Sequence, residues 1–197
     1  MSNQYFENNP ALKDEAITIN YYFKGTNLLF NSNSGVFSKR SVDYGTSLLL
    51  QSIKLNGGET ILDVGCGIGI IGITLAKMYP QTKIEMIDVN QKALKLTNDN
   101  IKTNNVKNVI CYESNIYQNV QNTFDVIVTN PPIRAGKAVV HTILLDAYNH
   151  LNDGGILYLV IQKKQGADSA KKTLITRYER VEVINQNNGY EIIKCLK

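Results

Sequence analysis

The sequence predicts an α/β fold in which helices cover both faces of a mostly parallel β-sheet. Apolar strand segments and amphipathic helical segments alternate from residue 60 onwards. Most of the strand segments are almost continuously apolar, which is typical of parallel strands that are buried on both faces. A glycine-rich turn joins the first of these strands to the helix that follows it.

The length and composition indicate one globular domain. The chain has 197 residues, of which 43% are hydrophobic and 19% are charged, and this balance favours a folded protein over a disordered one. We expect residues 1–56 to form an N-terminal hairpin and helix, and residues 57–197 to form the core. The N-terminus does not resemble a signal peptide, and no stretch reaches the ~20 apolar residues of a membrane span. We therefore expect a cytoplasmic protein with no membrane partner.

Before the alternating region, the sequence predicts a β-hairpin and a helix. Residues 17–23 alternate between apolar and polar side chains, and residues 27–31 return as a second strand after the turn at Gly25. Residues 43–54 carry the run from Ser47 to Leu50 on one side, which favours a helix.

The alternating region predicts five parallel strands and four helices. The predicted strands are 60–64, 83–88, 109–112, 124–129 and 156–162, the last entered from a turn at 153–155. The predicted helices are 70–78, 91–103, 137–151 and 168–178. Two final strands, 181–185 and 190–195, are expected to pair around Asn188 and Gly189. The sheet then has seven strands, with an antiparallel C-terminal edge strand.

The charge and the cysteines set weaker limits on function. A net charge of +4 and a pI near 8.8 permit a polyanionic partner without requiring one. The three cysteines, Cys66, Cys111 and Cys195, are far apart and form no CxxC pair. We expect no disulfide, zinc site or other metal site, and a reducing compartment fits best.

The strongest motif is the turn Asp63-Val64-Gly65-Cys66-Gly67-Ile68-Gly69. Glycines allow a tight turn and let a ligand approach the backbone, and the following helix offers free N–H groups. Nicotinamide and flavin enzymes use related loops, but with GxGxxG spacing rather than GxGxG. A carboxylate at the strand end repels a pyrophosphate and suits the α-ammonium and sulfonium groups of S-adenosylmethionine. The turn therefore predicts an S-adenosylmethionine site, with a dinucleotide site as the alternative.

Two polar positions at strand ends extend this predicted site. Asp88 ends the next strand, where a carboxylate can accept hydrogen bonds from both ribose hydroxyls. Asn115 follows the strand after that, where a polar side chain can meet the adenine, and Ser114 is an alternative for this role. An exposed strand-end carboxylate and a plain turn residue are the structural interpretations of Asp88 and Asn115.

The second motif, Asn130-Pro131-Pro132-Ile133, follows a predicted strand. Consecutive prolines keep the chain extended as it leaves the sheet. They can aim two acceptors, the Asn130 side-chain oxygen and the Pro131 carbonyl, into the cofactor crevice. An exocyclic amine held by two acceptors is more pyramidal, so its lone pair points at the sulfonium methyl group, and positioning and electrostatics supply the catalysis. A purely structural Pro-Pro turn is the alternative.

Together these motifs resemble a known family. The glycine-rich turn and Asn130-Pro-Pro-Ile133 look like motifs of class I methyltransferases that act on amide or exocyclic amino nitrogens, with a Rossmann-like fold. The segment from Gly35 to Ser38 and Asp43-x-Gly-Thr46 are similar to the stretch before the glycine loop in RsmC-type small-subunit ribosomal RNA guanine-N2 methyltransferases. The resemblance runs from about Tyr22 to the C-terminus. Those enzymes carry an additional N-terminal domain, so we expect this chain to be a stand-alone catalytic domain.

The resemblance and the motifs together assign expected roles. Residues expected to bind the cofactor are Asp63, Gly65, Cys66, Gly67, Gly69, Asp88, Val89, Asn115 and Thr46. Residues expected to hold the target base for catalysis are Asn130, Pro131, Pro132 and Ile133. Residues expected to bind the substrate at the pocket rim are Phe37, Asp43, Gly45, Lys39, Arg40, Arg134 and Lys137.

One position departs from the family pattern. The fourth position of the acceptor motif is usually aromatic and stacks on a flipped base, but here it is Ile133. Either Ile133 gives only apolar contact, or Phe37 or Tyr44 stacks from the other side. The departure bears on the identity of the base more than on the reaction.

The basic residues have two interpretations. Lys39, Arg40, Arg134 and Lys137 at the rim are consistent with phosphate contacts. A later cluster is equally consistent with phosphate contacts and with solvated helix faces; it consists of Lys163, Lys164, Lys171 and Lys172.

The leading hypothesis is N2-methylation of guanine in ribosomal RNA or the small ribosomal subunit, with S-adenosylmethionine as methyl donor. A glutamine amide in a protein, or adenine in a nucleic acid, is an alternative acceptor. A non-catalytic module that binds S-adenosylmethionine or RNA, and a nicotinamide oxidoreductase, are alternatives of other classes.

Overall fold

A computed structural model describes residues 16–33 and 41–197 of the chain. The strands are β1 (Ile17–Phe23), β2 (Thr26–Ser32), β3 (Thr60–Val64), β4 (Lys83–Asp88), β5 (Val109–Glu113), β6 (Phe124–Thr129), β7 (Leu151–Gln162), β8 (Arg180–Asn187) and β9 (Tyr190–Leu196). The α-helices are α1 (Tyr44–Ser52), α2 (Ile70–Met78), α3 (Gln91–Thr103), α4 (Lys137–Asp146) and α5 (Ala167–Leu174). Short 3-10 turns cover Ile133–Ala135, Ala147–His150 and Lys163–Gln165.

Seven strands form one sheet in the order β5-β4-β3-β6-β7-β9-β8, and β1 and β2 form a separate hairpin. The strands from β5 to β7 pair in parallel, whereas β9 runs antiparallel to both β7 and β8. The predicted α/β fold with a mostly parallel seven-stranded sheet is therefore confirmed. The chain adds β4 and β5 on one side of β3, and β6 and β7 on the other, so the strand order reverses between β3 and β6. Ligands of open α/β sheets bind at the carboxyl ends of the strands at such a point.

Helices cover both faces of the sheet. Since successive residues of a strand point in opposite directions, neighbouring residues are buried in two different cores. Ile61 of β3 lies in a core shared with α1, α2, α3 and the hairpin, whereas its neighbour Leu62 lies in the core shared with α4 and α5. Both side chains are completely buried. This two-sided burial explains the continuous apolar runs of the central strands.

The predicted helix 137–151 is too long. The α-helix ends at Asp146, a 3-10 turn follows, and Leu151 already pairs with Phe124 as the first residue of β7. The predicted turn at 153–155 therefore lies inside a strand. Before the next pair, Val126 with Ile156, β7 has four residues (152–155) where β6 has one (125). The excess is accommodated by a bulge in which Gly154 has a φ of 72°.

The predicted helix 168–178 also ends early. Helix α5 stops at Leu174, and the Tyr178 N–H group donates to the Leu174 carbonyl at 3.0 Å. The Tyr178 hydroxyl donates to the Leu144 carbonyl at 2.8 Å. Burial of this tyrosine against α4 turns the chain toward β8.

Two asparagines dock the N-terminal hairpin: Asn100 of α3 and Asn104, the C-cap residue that follows this helix. The Asn104 side chain accepts from the Leu29 N–H group at 3.0 Å and donates to the Leu29 carbonyl at 2.8 Å. The Asn100 side chain does the same with Asn31, at 2.7 and 3.1 Å. Four residues of a helix rise by about 6 Å, close to the roughly 6.8 Å spanned by two residues of a strand. The two amides therefore take the place of a further strand beside β2.

Replacement of Asn100 by leucine should destabilise the protein. The Asn100→Leu variant leaves the Asn31 N–H and carbonyl groups, and the Ile68 carbonyl to which Asn100 also donates, without this partner. We expect the free energy of unfolding in urea to fall by about 3 kcal/mol. Asn98→Leu, on the exposed side of the same helix, is the matched control and should change it by less than about 0.5 kcal/mol. Equal losses in the two variants would contradict the docking role.

Candidate active site at the β3–β6 strand ends

The glycine-rich turn after β3 is open on one side. Gly65 and Gly67 have φ values of 72° and 57°, and a Cβ atom added to either would meet no other heavy atom within 4 Å. The Gly65 and Cys66 N–H groups both donate to the Ile87 carbonyl of β4 at 2.9 Å. The turn is thus tied to β4 on one side and leaves its backbone accessible on the other, as a bound ligand requires.

Asp88, at the end of β4, holds the same turn. One carboxylate oxygen accepts from the Gly67 N–H group and the other from the Asn90 N–H group, both at 2.8 Å. Burial raises the pKa of the Asp88 carboxyl group, although the hydrogen bonds oppose that rise. Each carboxylate oxygen has a second lone pair, so the predicted ribose contact is compatible with these bonds.

Helix α3 supports the turn from below through residues that the motifs did not reveal. The Thr97 hydroxyl donates to the Gly67 carbonyl at 2.7 Å, and the Asn100 amide donates to the Ile68 carbonyl at 3.0 Å. Both side chains are completely buried. The available sequence signal was the recurrence of polar residues at 97, 100 and 104 on the buried face of this helix.

Asp63 lies underneath the turn rather than at its surface. Its side chain is 0% exposed, and one oxygen accepts from the Gly72 N–H group of α2 at 2.9 Å. A Cβ atom at Gly72 would overlap the Met86 sulfur, so this close approach requires glycine. Burial, with a smaller contribution from the charge of Asp88, raises the pKa of Asp63 to about 7.

The second oxygen of Asp63, Oδ1, has no hydrogen-bond partner within the described part of the chain. A buried carboxylate oxygen without a partner is costly. The carboxyl groups of Asp63 and Asp88 lie close enough to repel each other when both are charged. A cationic ligand in the turn would lower both this repulsion and the cost of the unpaired oxygen. The residues present therefore fit a cofactor that carries positive charge and no phosphate.

The next strand ends supply apolar and polar groups. Val89, directly after β4, is 38% exposed, an unusual degree for valine at the end of a buried strand. Ser114, after β5, is buried, and its hydroxyl donates to the Ile116 carbonyl at 2.9 Å. Asn115 is exposed. Since Ser114 is engaged in its own turn, Asn115 is the better placed of the two for the predicted adenine contact.

The Asn130 motif leaves the sheet beside the glycine-rich turn. Thr129, the last residue of β6, pairs with Val64, the last residue of β3, and its hydroxyl donates to the Val64 carbonyl at 2.9 Å. Pro131 is buried, and a 3-10 turn begins at Ile133. The two motifs that the sequence singled out therefore emerge from neighbouring strands at the point where the strand order reverses.

Two predicted rim residues, Asp43 and Gly45, lie at the start of α1 beside Thr46, a predicted cofactor residue. Asn130 donates through Nδ2 to the Thr46 hydroxyl at 3.0 Å, and it lies 3.4 and 3.5 Å from the two carboxylate oxygens of Asp43. Gly45, between them, is buried, and a Cβ atom there would lie 2.8 Å from the Tyr190 ring. Gly45 thus packs against an aromatic side chain. Phe37, Lys39 and Arg40 lie outside the described residues.

A cavity of about 180 Å³ opens beside the acceptor motif, between α4 and α5. Its wall is apolar at Ile133 and Ile161 and polar at Lys137, Gln165 and Ser169. His141 also faces it, and its imidazole nitrogens lie 3.4 Å from the Ser169 hydroxyl and 3.3 Å from the Thr173 hydroxyl. Ile133 connects this cavity to the Asn130 motif.

The later basic cluster is partly neutralised. Glu191 is buried, and its carboxylate lies 2.8 Å from the Lys171 ammonium and 3.7 Å from that of Lys163. These two ion pairs therefore link α5 and the 3-10 turn after β7 to β9. Arg134 and Lys137 are both exposed, close to the acceptor motif in the chain.

Tyr44 is an available aromatic surface at the rim. Its side chain is 41% exposed, and its ring centre lies 5.7 Å from that of Tyr190 at an interplanar angle of 47°.

Residues 16–33 and 41–197 contain no cluster of three metal-ligating side chains, and none of their helices is long and apolar enough to cross a membrane.

The buried Asp63 should give a distinctive pH dependence of stability. Its pKa rises from 3.8 to about 7, so the folded protein binds this proton more tightly than the unfolded chain does. Stability from this group is therefore present at low pH and lost as the pH rises toward 7. The free energy of unfolding of the wild type, relative to Asp63→Asn, should fall by about 3 kcal/mol between pH 4 and pH 7.

Asp125→Asn is the control for this pH experiment. Burial opposes ionisation of Asp125, but hydrogen bonds from Thr60 and Asn152 lower the pKa of its carboxyl group overall. Its contribution is therefore present above the unfolded pKa and is lost only as the pH falls through the lowered value. Urea unfolding at intervals from pH 3 to pH 8 separates the two cases. Parallel curves for the wild type and Asp63→Asn would refute the raised pKa.

Comparison with known sequences supports one family. The methyltransferase small domain model matches residues 27–194. The uncharacterized protein YbxB of Bacillus subtilis is 45% identical over 202 residues and covers 100% of both chains. The ribosomal RNA small subunit methyltransferase C of Aeromonas hydrophila is 34% identical over 162 residues, which is 80% of this chain and 46% of that protein. The chain spans about half the length of the curated ribosomal RNA methyltransferases that it matches.

Solved structures show the same architecture. A T. thermophilus 16S rRNA N2 G1207 methyltransferase (RsmC), in complex with AdoMet and guanosine, superposes with a TM-score of 0.82 at 22% identity, over 91% of this chain and 50% of that chain. A methyltransferase from Pyrococcus furiosus gives a TM-score of 0.66 at 28% identity, over 76% and 79% of the two chains. The Rossmann-like methyltransferase fold is confirmed, and S-adenosylmethionine, the predicted cofactor, is the methyl donor of this family. The chain belongs to the methyltransferase small domain family.

Proposed function

We propose that the protein transfers a methyl group from S-adenosylmethionine to the exocyclic N2 amine of a guanine in ribosomal RNA. The observation that carries this proposal is the placement of Asn130 beside the glycine-rich turn at the β3–β6 strand ends. The names of the ribosomal RNA methyltransferases that the chain matches support the choice of acceptor.

The site offers suitable partners for each part of the cofactor. The Asp63 oxygen that lacks a partner and the Asp88 carboxylate provide negative charge next to the open glycines. We assign Asp88 to the ribose hydroxyls, and Val89 and Asn115, which are both exposed beyond their strand ends, to the adenine. When bound, the cofactor supplies an electrophilic methyl group on a sulfonium centre.

The acceptor motif orients the amine. The Asn130 side-chain oxygen and the Pro131 carbonyl accept hydrogen bonds from the two amine N–H groups, which weakens conjugation of the nitrogen lone pair with the purine ring. As the N–C bond forms, positive charge develops on nitrogen and both hydrogen bonds strengthen, so they bind the transition state more tightly than the ground state. The product ammonium is strongly acidic and releases its proton to water, so a strong general base is unnecessary.

The surroundings of the motif favour a nucleic-acid substrate. Arg134 and Lys137 are exposed next to Ile133, where they can contact phosphates. Tyr44 offers an exposed ring for stacking at the same rim. Arg134 and Lys137 follow Asn130 closely in the chain, and Tyr44 adjoins Asp43, which Asn130 contacts.

The isoleucine at position 133 favours one other acceptor, a glutamine side-chain amide in a protein. An amide is as planar as an exocyclic amine and needs the same two hydrogen-bond acceptors, but it does not need an aromatic partner for stacking. Ile133 is half-buried and packs against the core shared with α4 and α5, so it offers apolar contact only.

Methyl transfer to separated cellular fractions tests the function. Labelled S-adenosylmethionine should label ribosomal RNA or ribosomal subunits from cells that lack the protein, and digestion should yield N2-methylguanosine. Asn130→Ala should lower the rate at least ~100-fold while cofactor affinity stays nearly unchanged, because the amide contacts the acceptor. Label in protein or DNA, or full activity of Asn130→Ala, would overturn the assignment.

Asp88 should determine cofactor affinity. In Asp88→Asn, an N–H donor replaces one of the two oxygens that accept from the Gly67 and Asn90 N–H groups, so both the turn and the ribose contact are disturbed. Calorimetric titration should show cofactor binding weakened by about 1–3 kcal/mol.

Glu113→Gln is the matched control for Asp88→Asn. Glu113 pairs with Asp88 in the sheet and is exposed, and its side chain accepts from Gln91 instead of from the turn. The Glu113→Gln substitution removes one negative charge nearby without altering the contacts of the glycine-rich turn. The affinity of this variant for the cofactor should therefore stay close to that of the wild type. Equal weakening by the two variants would show that only net charge matters.

A further inference from the structure

We infer that Asp43 is a positioning residue that holds the Asn130 amide in a single orientation. In this orientation the amide oxygen is directed to the substrate nitrogen that receives the methyl group. Thr46 assists in this role. The inference rests on the proposed N-methyl transfer, because orientation matters only if the amide oxygen must accept from an amine.

The contacts of Asn130 identify which end of its amide is which. A carboxylate accepts hydrogen bonds and cannot donate them. Both Asp43 oxygens lie within 3.5 Å of the same terminal atom of Asn130, so that atom is the NH2 nitrogen. The oxygen of the amide therefore points away from Asp43, and no described residue donates to it.

Asp43 determines the orientation, whereas Thr46 tolerates either one. A hydroxyl group is both a donor and an acceptor, so Thr46 could bond the nitrogen, as it does at 3.0 Å, or the oxygen of a reversed amide. A reversed amide would place its oxygen against the Asp43 carboxylate and its NH2 group against the amine of the substrate. Both contacts would be repulsive, and the second would remove one of the two acceptors that the reaction needs.

The position of Asp43 is itself fixed by a second role. It is the N-cap of α1, where its Oδ1 atom accepts from the Thr46 N–H group at 3.0 Å and its carbonyl accepts from the Ser47 N–H group at 3.1 Å. Helix α1 is anchored by the buried side chains of Leu48, Leu49 and Leu50. The cap therefore links a rigid helix to the amide that meets the substrate.

Two substitutions at position 43 separate orientation from capping. Asparagine and serine are both good N-caps, so Asp43→Asn and Asp43→Ser should each preserve α1. Asparagine presents an NH2 group to Asn130 when its oxygen caps the helix, and this favours the reversed amide. Serine is too short to reach Asn130 and leaves Thr46 as its partner. The closer isostere is thus expected to be the more damaging change.

The kinetic arm compares these variants in single-turnover methyl transfer to unmodified ribosomal RNA. We expect the transfer rate constant of Asp43→Asn to fall by ~100-fold, the scale of losing one oriented group in an active site, with little change in KM or in cofactor affinity. Asp43→Ser should lose less than ~10-fold, and Thr46→Ser, which keeps the hydroxyl, should restore most of the activity lost in Thr46→Val. Equal rates for Asp43→Asn and Asp43→Ser would overturn the positioning role.

A spectroscopic arm tests the orientation without any substrate. The side-chain NH2 resonances of Asn130, assigned by their loss in Asn130→Asp, should be shifted downfield in the wild type by hydrogen bonding to the carboxylate. They should move upfield in Asp43→Ser. Resonances that do not respond to Asp43→Ser would refute the inference. If the wild type labels no RNA but the resonances do respond, the proposed function fails while the amide orientation stands.

Discussion

Strands β3 and β6 lie side by side in parallel, and side chains fix their register at both ends. At the start of β3, the Thr60 N–H and hydroxyl groups both donate to Asp125 at 2.8 Å. At the other end, the Thr129 hydroxyl donates to the Val64 carbonyl. A slip by one residue would move every side chain of β6 to the opposite face. Because the register is fixed, the glycine-rich turn and the Asn130 motif leave the sheet at the same level, and this is the arrangement that methyl transfer between two bound groups requires.

Two carboxyl groups, those of Asp63 and Asp88, lie beneath that edge of the sheet. Asp63 and Asp88 are both withdrawn from water, and the pKa of each is raised by burial. Asp88 accepts from the backbone of the turn, and one oxygen of Asp63 accepts from the backbone of α2, so the turn is shaped before a ligand arrives. The remaining negative potential favours a cationic cofactor over a dinucleotide. The hydrogen bonds of Asp63 and Asp88 thus stabilise the fold as well as shape the site that receives the cofactor. Asn100 has a similar double role, because its side chain joins the turn to the N-terminal hairpin.

Local sequence features were sufficient to predict most of the strands and both motifs. The central strands are continuous apolar runs, and glycine and proline mark the two turns, so β3, β4 and β6 begin and end where predicted. The start of β7 was missed because Gly154 and Gly155 resemble a turn, whereas they lie within a bulge opposite β6. Contacts between distant segments had no local signal. Asp43 and Asn130 are separated by 87 positions in sequence, and only the packing of α1 against the sheet brings them together.

The proposed methyl transfer depends on Asn130 accepting a hydrogen bond from an amine next to the cofactor site. The decisive measurement is the structure of a ternary complex with S-adenosylhomocysteine and guanosine. We expect the guanosine N2 atom within hydrogen-bond distance of the Asn130 side-chain oxygen and the Pro131 carbonyl, with the NH2 group of Asn130 still directed at Asp43. Guanosine bound away from Asn130, or an Asn130 amide that offers its nitrogen to the base, would contradict it.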